Sequence, residues 1–124
     1  MELADYFKNV NGTGILATSD SQGNVDAAIY SRPYVIDENT IAFSMLERLS
    51  YANIQSNPKA AYLFIEKGEG YHGKRLYLTK VGEEQNPERI RELKAKHAKI
   101  FHPEDINKHM VYFNINNVRP LVGD

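Results

Sequence analysis

Residues 40–58, TIAFSMLERLSYANIQSNP, decide how this chain is organised. The part from residue 40 to 46 is β-branched and apolar, a composition that predicts a strand. From about residue 48 to residue 56, apolar residues lie between polar neighbours at helical spacing. We therefore predict that a strand leads directly into the start of a short helix.

Polar side chains cluster where this strand meets the helix. Ser44, Arg48 and Ser50 lie at the junction, and Asn53 follows one turn later. The first turn of a helix has backbone amides without partners and the positive end of the helix dipole, so an arginine and hydroxyls beside it form a candidate phosphate site. Alternatively, Arg48 is a solvated surface residue and Ser50 only caps the helix.

The bulk composition limits the classes of function. The length of 124 residues predicts one domain, residues 1–124. A net charge of −1 gives no basic excess for nucleic acid, so we expect no nucleic-acid partner. With no cysteine there is no disulfide or thiolate metal site. No secretory signal and no membrane-spanning run are visible, so we expect a cytoplasmic protein with no membrane partner.

The other segments predict short strands with a few helices. Residues 2–10 have helical spacing, and residues 13–19 and 25–30 form a hairpin around the turn DSQGN. Pro33 interrupts the sheet or marks its edge before an extended run at 34–36. Further strands are predicted at 59–67, 75–81 and 110–115. A helix is predicted from Asn86-Pro87 to Ile100, with a break at His102-Pro103, and a tail is predicted from Arg119. About six strands with hairpin signals indicate a small antiparallel barrel of mainly β (α+β) class.

A glycine-rich segment, GEGYHGK at residues 68–74, imitates two nucleotide-binding motifs. It fits Gly-x-Gly-x-x-Gly and, with Lys74, the Gly-Lys of a phosphate-binding loop. Both motifs need a helix to follow, whereas the next residues, RLYLTKV, alternate like a strand, and Arg75 replaces the required Ser or Thr. We predict a hairpin loop that is either inert or brings Lys74 and Arg75 near an anionic ligand.

The sequence contains no residue pattern that indicates a metal site or a nucleophilic catalytic triad. The four histidines are widely spaced, so we predict no metal site. No Gly-x-Ser-x-Gly elbow accompanies the Ser, His and Asp residues.

From about Gly12 to Val81 the chain resembles the pyridoxamine 5'-phosphate oxidase-like FMN-binding split-barrel family. The resemblance is carried by the turn at Gly23-Asn24, a strand entering a helix with Arg48 and Ser50 at its start, and Asn53 and Asn57-Pro58 before a buried strand. It implies a six-stranded antiparallel split β-barrel of Greek-key type with short flanking helices. It also implies FMN as the cofactor, bound at the subunit interface of a homodimer.

Carried over by position, the resemblance implicates Arg48 and Ser50 for the FMN phosphate. Asn53 is either a ligand contact or a helix-packing residue, and Lys74 and Arg75 are candidates from the loop. Leu49, also in the implied site, stands where many members have a lysine, so Arg32, Lys74 or Arg75 would have to replace that charge. Residues implied along the ring and ribityl chain are Tyr30, Ser31, Arg32, Ser44, Met45 and Leu46.

The leading functional hypothesis is a homodimeric FMN-binding flavoprotein, an oxidoreductase or electron-transfer protein of unknown substrate. Oxidation of pyridoxamine phosphate is not expected, because the chain has no tryptophan and lacks the basic C-terminal motif of those oxidases. Two alternatives remain open. One is a non-catalytic module of the same fold that binds flavin, haem or another flat anionic ligand, and the other is a structural or regulatory dimer with an empty slot.

Overall fold

A single antiparallel sheet dominates the computed structural model, which describes residues 2–97 and 109–123. The sheet order is β2-β1-β5-β6-β7-β4-β3. This architecture confirms the predicted mainly β class with flanking helices. The elements in chain order are α1 (Leu3–Asn9), β1 (Gly12–Ser19), β2 (Val25–Ile29), β3 (Tyr34–Asp37), β4 (Thr40–Met45), α2 (Leu49–Ser56), β5 (Lys59–Glu66), β6 (Gly73–Glu84), α3 (Pro87–His97) and β7 (His109–Pro120).

The sheet has seven strands in the described residues, so the predicted count of six is wrong. The additional strand results from an interruption at Pro33, which has no backbone N–H to donate to a ladder and separates β2 from β3. On either side of it, β2 and β3 lie at opposite edges of the sheet. The short connection of residues 30–33 therefore carries the chain from one edge to the other.

Two other strands are longer than their sequence patterns indicated. β6 begins at Gly73, directly after the glycine-rich loop, so the imitated nucleotide motifs lack the helix that they require. β7 continues to Pro120, and the predicted tail at Arg119 is wrong because Arg119 and Pro120 pair with Arg75 and Lys74 of β6. β6 and β7 lie apart in the sequence, and their pairing with each other extends both strands.

The helices begin where the sequence predicted. α1 and α2 match their predicted segments, and α3 starts at Pro87. The predicted continuation of α3 to Ile100 and its break at His102-Pro103 fall outside the described residues. No helix within 2–97 or 109–123 has the length and apolar character needed to cross a bilayer.

Strand β4 is buried on both faces. Ile41, Phe43 and Met45 point into the main core, where the Phe43 ring lies 4.9 Å from the Tyr62 ring. On the other face, Ala42 belongs to a second cluster that includes Ile90 of α3. Packing on each side thus fixes the strand, which agrees with its β-branched and apolar composition.

Helix α2 is anchored to β1 by a buried hydrogen bond. The Asn53 side-chain amide donates to the Thr18 hydroxyl at 3.0 Å, and both residues are buried. Ile54, the next residue, packs into the main core. These two contacts fix the orientation of a helix that is only eight residues long.

The connection between the two sheet edges is tied to the core by Tyr62. This tyrosine of β5 is fully buried, and its hydroxyl lies 3.2 Å from the Tyr30 carbonyl oxygen and 3.1 Å from that of Ser31. The phenol therefore places its one O–H beside two backbone acceptors in the connection that follows β2.

We expect Tyr62→Phe to lower the free energy of unfolding by about 0.5–1.5 kcal/mol, because it removes the hydroxyl that donates to partly buried carbonyl groups. Urea denaturation monitored by circular dichroism measures the change. Tyr71→Phe is the matched control, since the Tyr71 side chain is 80% exposed and should be neutral. Equal unfolding midpoints for Tyr62→Phe and the wild type would contradict this role.

Candidate functional site

A cavity of about 390 Å³ opens beside the junction of β4 and α2. Its volume lies in the range of small-molecule sites. Most of the residues predicted for a ligand site line it, namely Tyr30, Ser31, Arg32, Ser44, Leu46, Arg48, Leu49 and Ser50. The structure therefore brings together residues from the end of β2, from β4 and from the start of α2.

The start of α2 forms one end of the cavity. Residues 46–48 make a tight turn in which the Arg48 amide donates to the Leu46 carbonyl at 2.8 Å. Arg48 is the N-cap residue, its backbone is extended, and no side chain caps the helix. Since the first amides of a helix have no partner within it, this end can receive an anion. The exposed Arg48 side chain adds a positive charge there.

Ser50 points inward rather than capping the helix. Its side chain is 4% exposed, and its hydroxyl lies 3.4 Å from the Asp26 carboxylate. The Tyr30 side chain lines the same cavity. Burial raises the pKa of the Tyr30 phenol, against the opposing effects of Ser50 and the Arg48 charge, while the Asp26 charge raises it further. The phenol is therefore neutral at ordinary pH and can donate or accept a hydrogen bond.

Ser44 presents an unsatisfied hydroxyl. Its Oγ is buried and has no hydrogen-bond partner within the described part of the chain. Ser44 lines the cavity, and a buried polar atom without a partner is costly. A polar atom of a bound ligand would satisfy it, so this wall fits a ligand with hydrogen-bonding groups.

The charged residues of the lining differ in how they are engaged. Arg32 donates to the carbonyl oxygens of Phe7 and Val10, at 3.0 Å and 3.3 Å, at the carboxyl end of α1. This position complements the negative end of the helix dipole, so Arg32 has a structural partner. Arg48, in contrast, is exposed at the start of α2, and Asp26 adds a negative charge to the same wall.

Four predicted site residues lie outside the cavity. Met45 is fully buried in the main core. Asn53 bonds Thr18, which agrees with its helix-packing alternative. The Lys74 ammonium lies 4.7 Å from the Tyr6 ring centre, and Arg75 donates to the carbonyl oxygens of Pro120 and Gly123. Within one chain, therefore, neither cation lines the cavity.

Sequence reasoning missed five lining residues, namely Asp26, Ala28, Ile29, Tyr34 and Phe43. Asp26 and Ala28 could have been found, because they alternate with Tyr30 along β2 and share its face. Ile29 lies on the opposite, exposed face of that strand. Phe43 and Tyr34 reach the cavity through the packing of β4 beside β3, which the sequence pattern does not specify.

Residues 2–97 and 109–123 contain no group of three or more His, Asp or Glu side chains placed to hold a metal ion.

Comparisons with known proteins identify the fold. No family model and no curated protein match this chain. Among solved structures, an FMN-binding protein from Syntrophomonas wolfei is similar at 19% identity with a TM-score of 0.80, the alignment covering 99% of this chain and 86% of that one. HupZ from Group A Streptococcus has 17% identity and a TM-score of 0.74, with 97% and 91% covered.

A protein from Lactobacillus delbrueckii, provisionally assigned as a pyridoxamine 5'-phosphate oxidase, is 23% identical with a TM-score of 0.72. That alignment covers 95% of this chain and 90% of the other. These similarities bear out the split-barrel fold that the sequence resemblance implied. The chain therefore has the split-barrel fold of pyridoxamine 5'-phosphate oxidase-like FMN-binding proteins.

We expect Ser44→Ala to raise the free energy of unfolding of the ligand-free protein by about 1 kcal/mol, because it removes a buried hydroxyl that has no partner. Thermal and urea denaturation measure the effect. Ser56→Ala is the control, because the Ser56 hydroxyl bonds the Asn53 carbonyl at 3.2 Å and its loss should not stabilise. A clear loss of stability in Ser44→Ala would show that the hydroxyl already has a stabilising partner.

Proposed function

We propose that this protein binds FMN in the cavity at the start of α2 and serves as an oxidoreductase or electron-transfer protein. The observation that carries the proposal is the junction itself, where an uncapped helix start, the exposed Arg48 and the unsatisfied Ser44 hydroxyl face one cavity. FMN combines an anionic tail with a planar polar ring, which matches this combination of groups. The fold shared with an FMN-binding protein adds support.

The proposed phosphate site consists of Arg48 and the first amides of α2. A charge-assisted contact from an arginine to a phosphate is stronger than a neutral hydrogen bond. Ser50 lies deeper, where its hydroxyl donates to the Asp26 carboxylate. Because Leu49 takes the place of a lysine and Arg32 is engaged by α1, the helix amides would contribute a large share of the affinity.

The proposed ring site lies along β2 and β4. Phe43 and Leu46 supply apolar surface, Tyr30 supplies a neutral phenol, and the Ser44 hydroxyl would hold a polar atom of the ligand. Bound flavin supplies the redox chemistry itself, so the protein must provide a slot, hydrogen bonds and an anion site. The residues of this cavity provide those three elements.

We further propose that two copies of the chain pair beside the cavity. Ile29 and Leu49 line the cavity, yet these residues are 71% and 58% exposed. Val25, which lies with Ile29 on edge strand β2, is 82% exposed. A second copy would remove this apolar surface from water and close the cavity over the ligand.

Titration of the wild-type protein with FMN and with riboflavin, followed by flavin fluorescence, tests the proposal. We expect Arg48→Ala to weaken FMN binding about tenfold or more, because a charge-assisted contact is worth about 1.5–3 kcal/mol, and to change riboflavin binding little. Arg91→Ala on the exposed surface of α3 is the control.

Failure of the wild type to bind FMN would overturn the proposed function. Equal losses for FMN and riboflavin in Arg48→Ala would move the phosphate away from Arg48. Reduction of the bound flavin by NAD(P)H in stopped-flow experiments would separate an oxidoreductase from a protein that only holds flavin.

Asp26 provides a second test, because its carboxylate lies beside the proposed phosphate site. We expect Asp26→Asn to tighten FMN binding about threefold to tenfold by removing a like charge, while an amide oxygen can still accept from Ser50. Riboflavin binding should change less, and the gain should shrink at high salt. Asp5→Asn on exposed α1 is the control. Unchanged or weaker FMN binding would show that the tail lies elsewhere.

A further inference from the structure

The turn that carries Arg48 is held by a histidine that does not line the cavity. His109, the first residue of β7, places its Nε2 atom 2.7 Å from Oε1 of Glu47, the residue directly before Arg48. Its other ring nitrogen, Nδ1, lies 3.4 Å from Oε1 of Glu83 on β6. One imidazole thus connects the turn between β4 and α2 to the sheet.

The same imidazole packs against the first turn of α2. The Tyr51 ring stacks on it with 4.4 Å between ring centres and 19° between ring planes. The Tyr51 hydroxyl donates to Glu83 Oε1 at 2.7 Å and lies 3.4 Å from Nδ1 of His109. Both the turn and the helix start are therefore in contact with His109.

Glu83 is held in its charged form. Burial alone would raise the pKa of this carboxyl, but hydrogen bonds from Tyr51, Gln85, Lys80 and Gln55 outweigh burial and lower the pKa to about 2. The Lys80 ammonium lies 3.0 Å from Glu83 Oε2. Near neutral pH the imidazole therefore has an ionised carboxylate on one side, while Glu47, with a 73% exposed side chain, lies on the other.

The protonation state of the imidazole decides whether both contacts can exist. A carboxylate only accepts hydrogen bonds, and a neutral imidazole has a single N–H to donate. Nε2 is within hydrogen-bond distance of Glu47, whereas Nδ1 is within ion-pair distance of Glu83, so only the protonated ring attracts both carboxylates by charge. Histidine ordinarily changes its charge between pH 5 and 8. The groups that face His109 from its described neighbours are Glu47 in the turn, Tyr51 on α2, and Glu83 with its partner Lys80 on β6.

We propose that His109 is a positioning residue for the anion site. Its protonated ring bridges Glu47 and Glu83 and thereby holds Arg48 and the first amides of α2 at the cavity. A neutral ring would keep at most the hydrogen bond to Glu47 and would no longer attract Glu83 by charge, so the turn would be held less firmly and the anion site would weaken. This inference rests on the proposed function for its ligand, and its geometry lies outside the cavity.

The test measures FMN dissociation constants for the wild type and His109→Gln from pH 5.5 to 8.5. Dividing one constant by the other at each pH cancels the effect of FMN phosphate ionisation on binding, because that effect is common to both proteins. We expect His109→Gln to bind about fivefold more weakly at pH 5.5, with a ratio that approaches one at pH 8.5. Glu47→Gln should give the same trend, and because Glu47 is exposed it should not disturb folding. His72→Gln, in an exposed loop, is the control.

A ratio that does not depend on pH in either variant would overturn the inference, because it would leave His109 only a packing role. If the wild type binds no FMN, the proposed function fails, and amide hydrogen exchange of the ligand-free protein decides the inference. The Ala52 amide donates to the Arg48 carbonyl at 2.9 Å. It should exchange faster in His109→Gln than in the wild type at pH 6, with the difference lost at pH 8.5. Equal exchange would overturn the inference.

Discussion

The burial of β4 on both faces is the constraint on which the rest of the structure depends. Ile41, Phe43 and Met45 are fixed in the main core, and Ala42 is fixed under α3. A strand held in this way cannot shift its register without moving apolar side chains into water. Its last residues and the turn that follows are therefore fixed, so that Ser44 lines the cavity and the start of α2 is set.

In the proposed site, anion recognition would depend more on backbone amides than on side-chain charge. Arg32 is bound to the carboxyl end of α1, and Asp26 introduces a negative charge beside Ser50. The helix start lacks a side-chain cap, so its amides remain available. Helix amides are fixed in direction by the fold, and they lose little conformational freedom when an anion binds. This arrangement is compatible with the uncharged Leu49 at the helix start.

Side chains at the turn between β4 and α2 form polar contacts on both sides of it. On the cavity side the Ser50 hydroxyl donates to Asp26, whereas on the other side Glu47 contacts His109. Glu83 joins β6 to α2 through Tyr51 and joins β6 to β7 through His109. The position of Arg48 is consequently linked to a polar network that contains a histidine, the side chain whose charge ordinarily changes nearest to neutral pH.

The sequence by itself determined the elements whose signals are local: the hairpin around Gly23, the helix at Pro87, and the strand that enters a helix at Arg48. It also placed Tyr30, Ser44, Arg48 and Ser50 near one another through the family resemblance, and the cavity contains all four. Only the tertiary structure decided that β2 and β3 lie at opposite edges, that Arg32 serves α1, and that Lys74 and Arg75 point away from the cavity. Turn and helix signals act over a few residues, whereas strand partners and side-chain neighbours come from distant parts of the chain and depend on how the whole core packs.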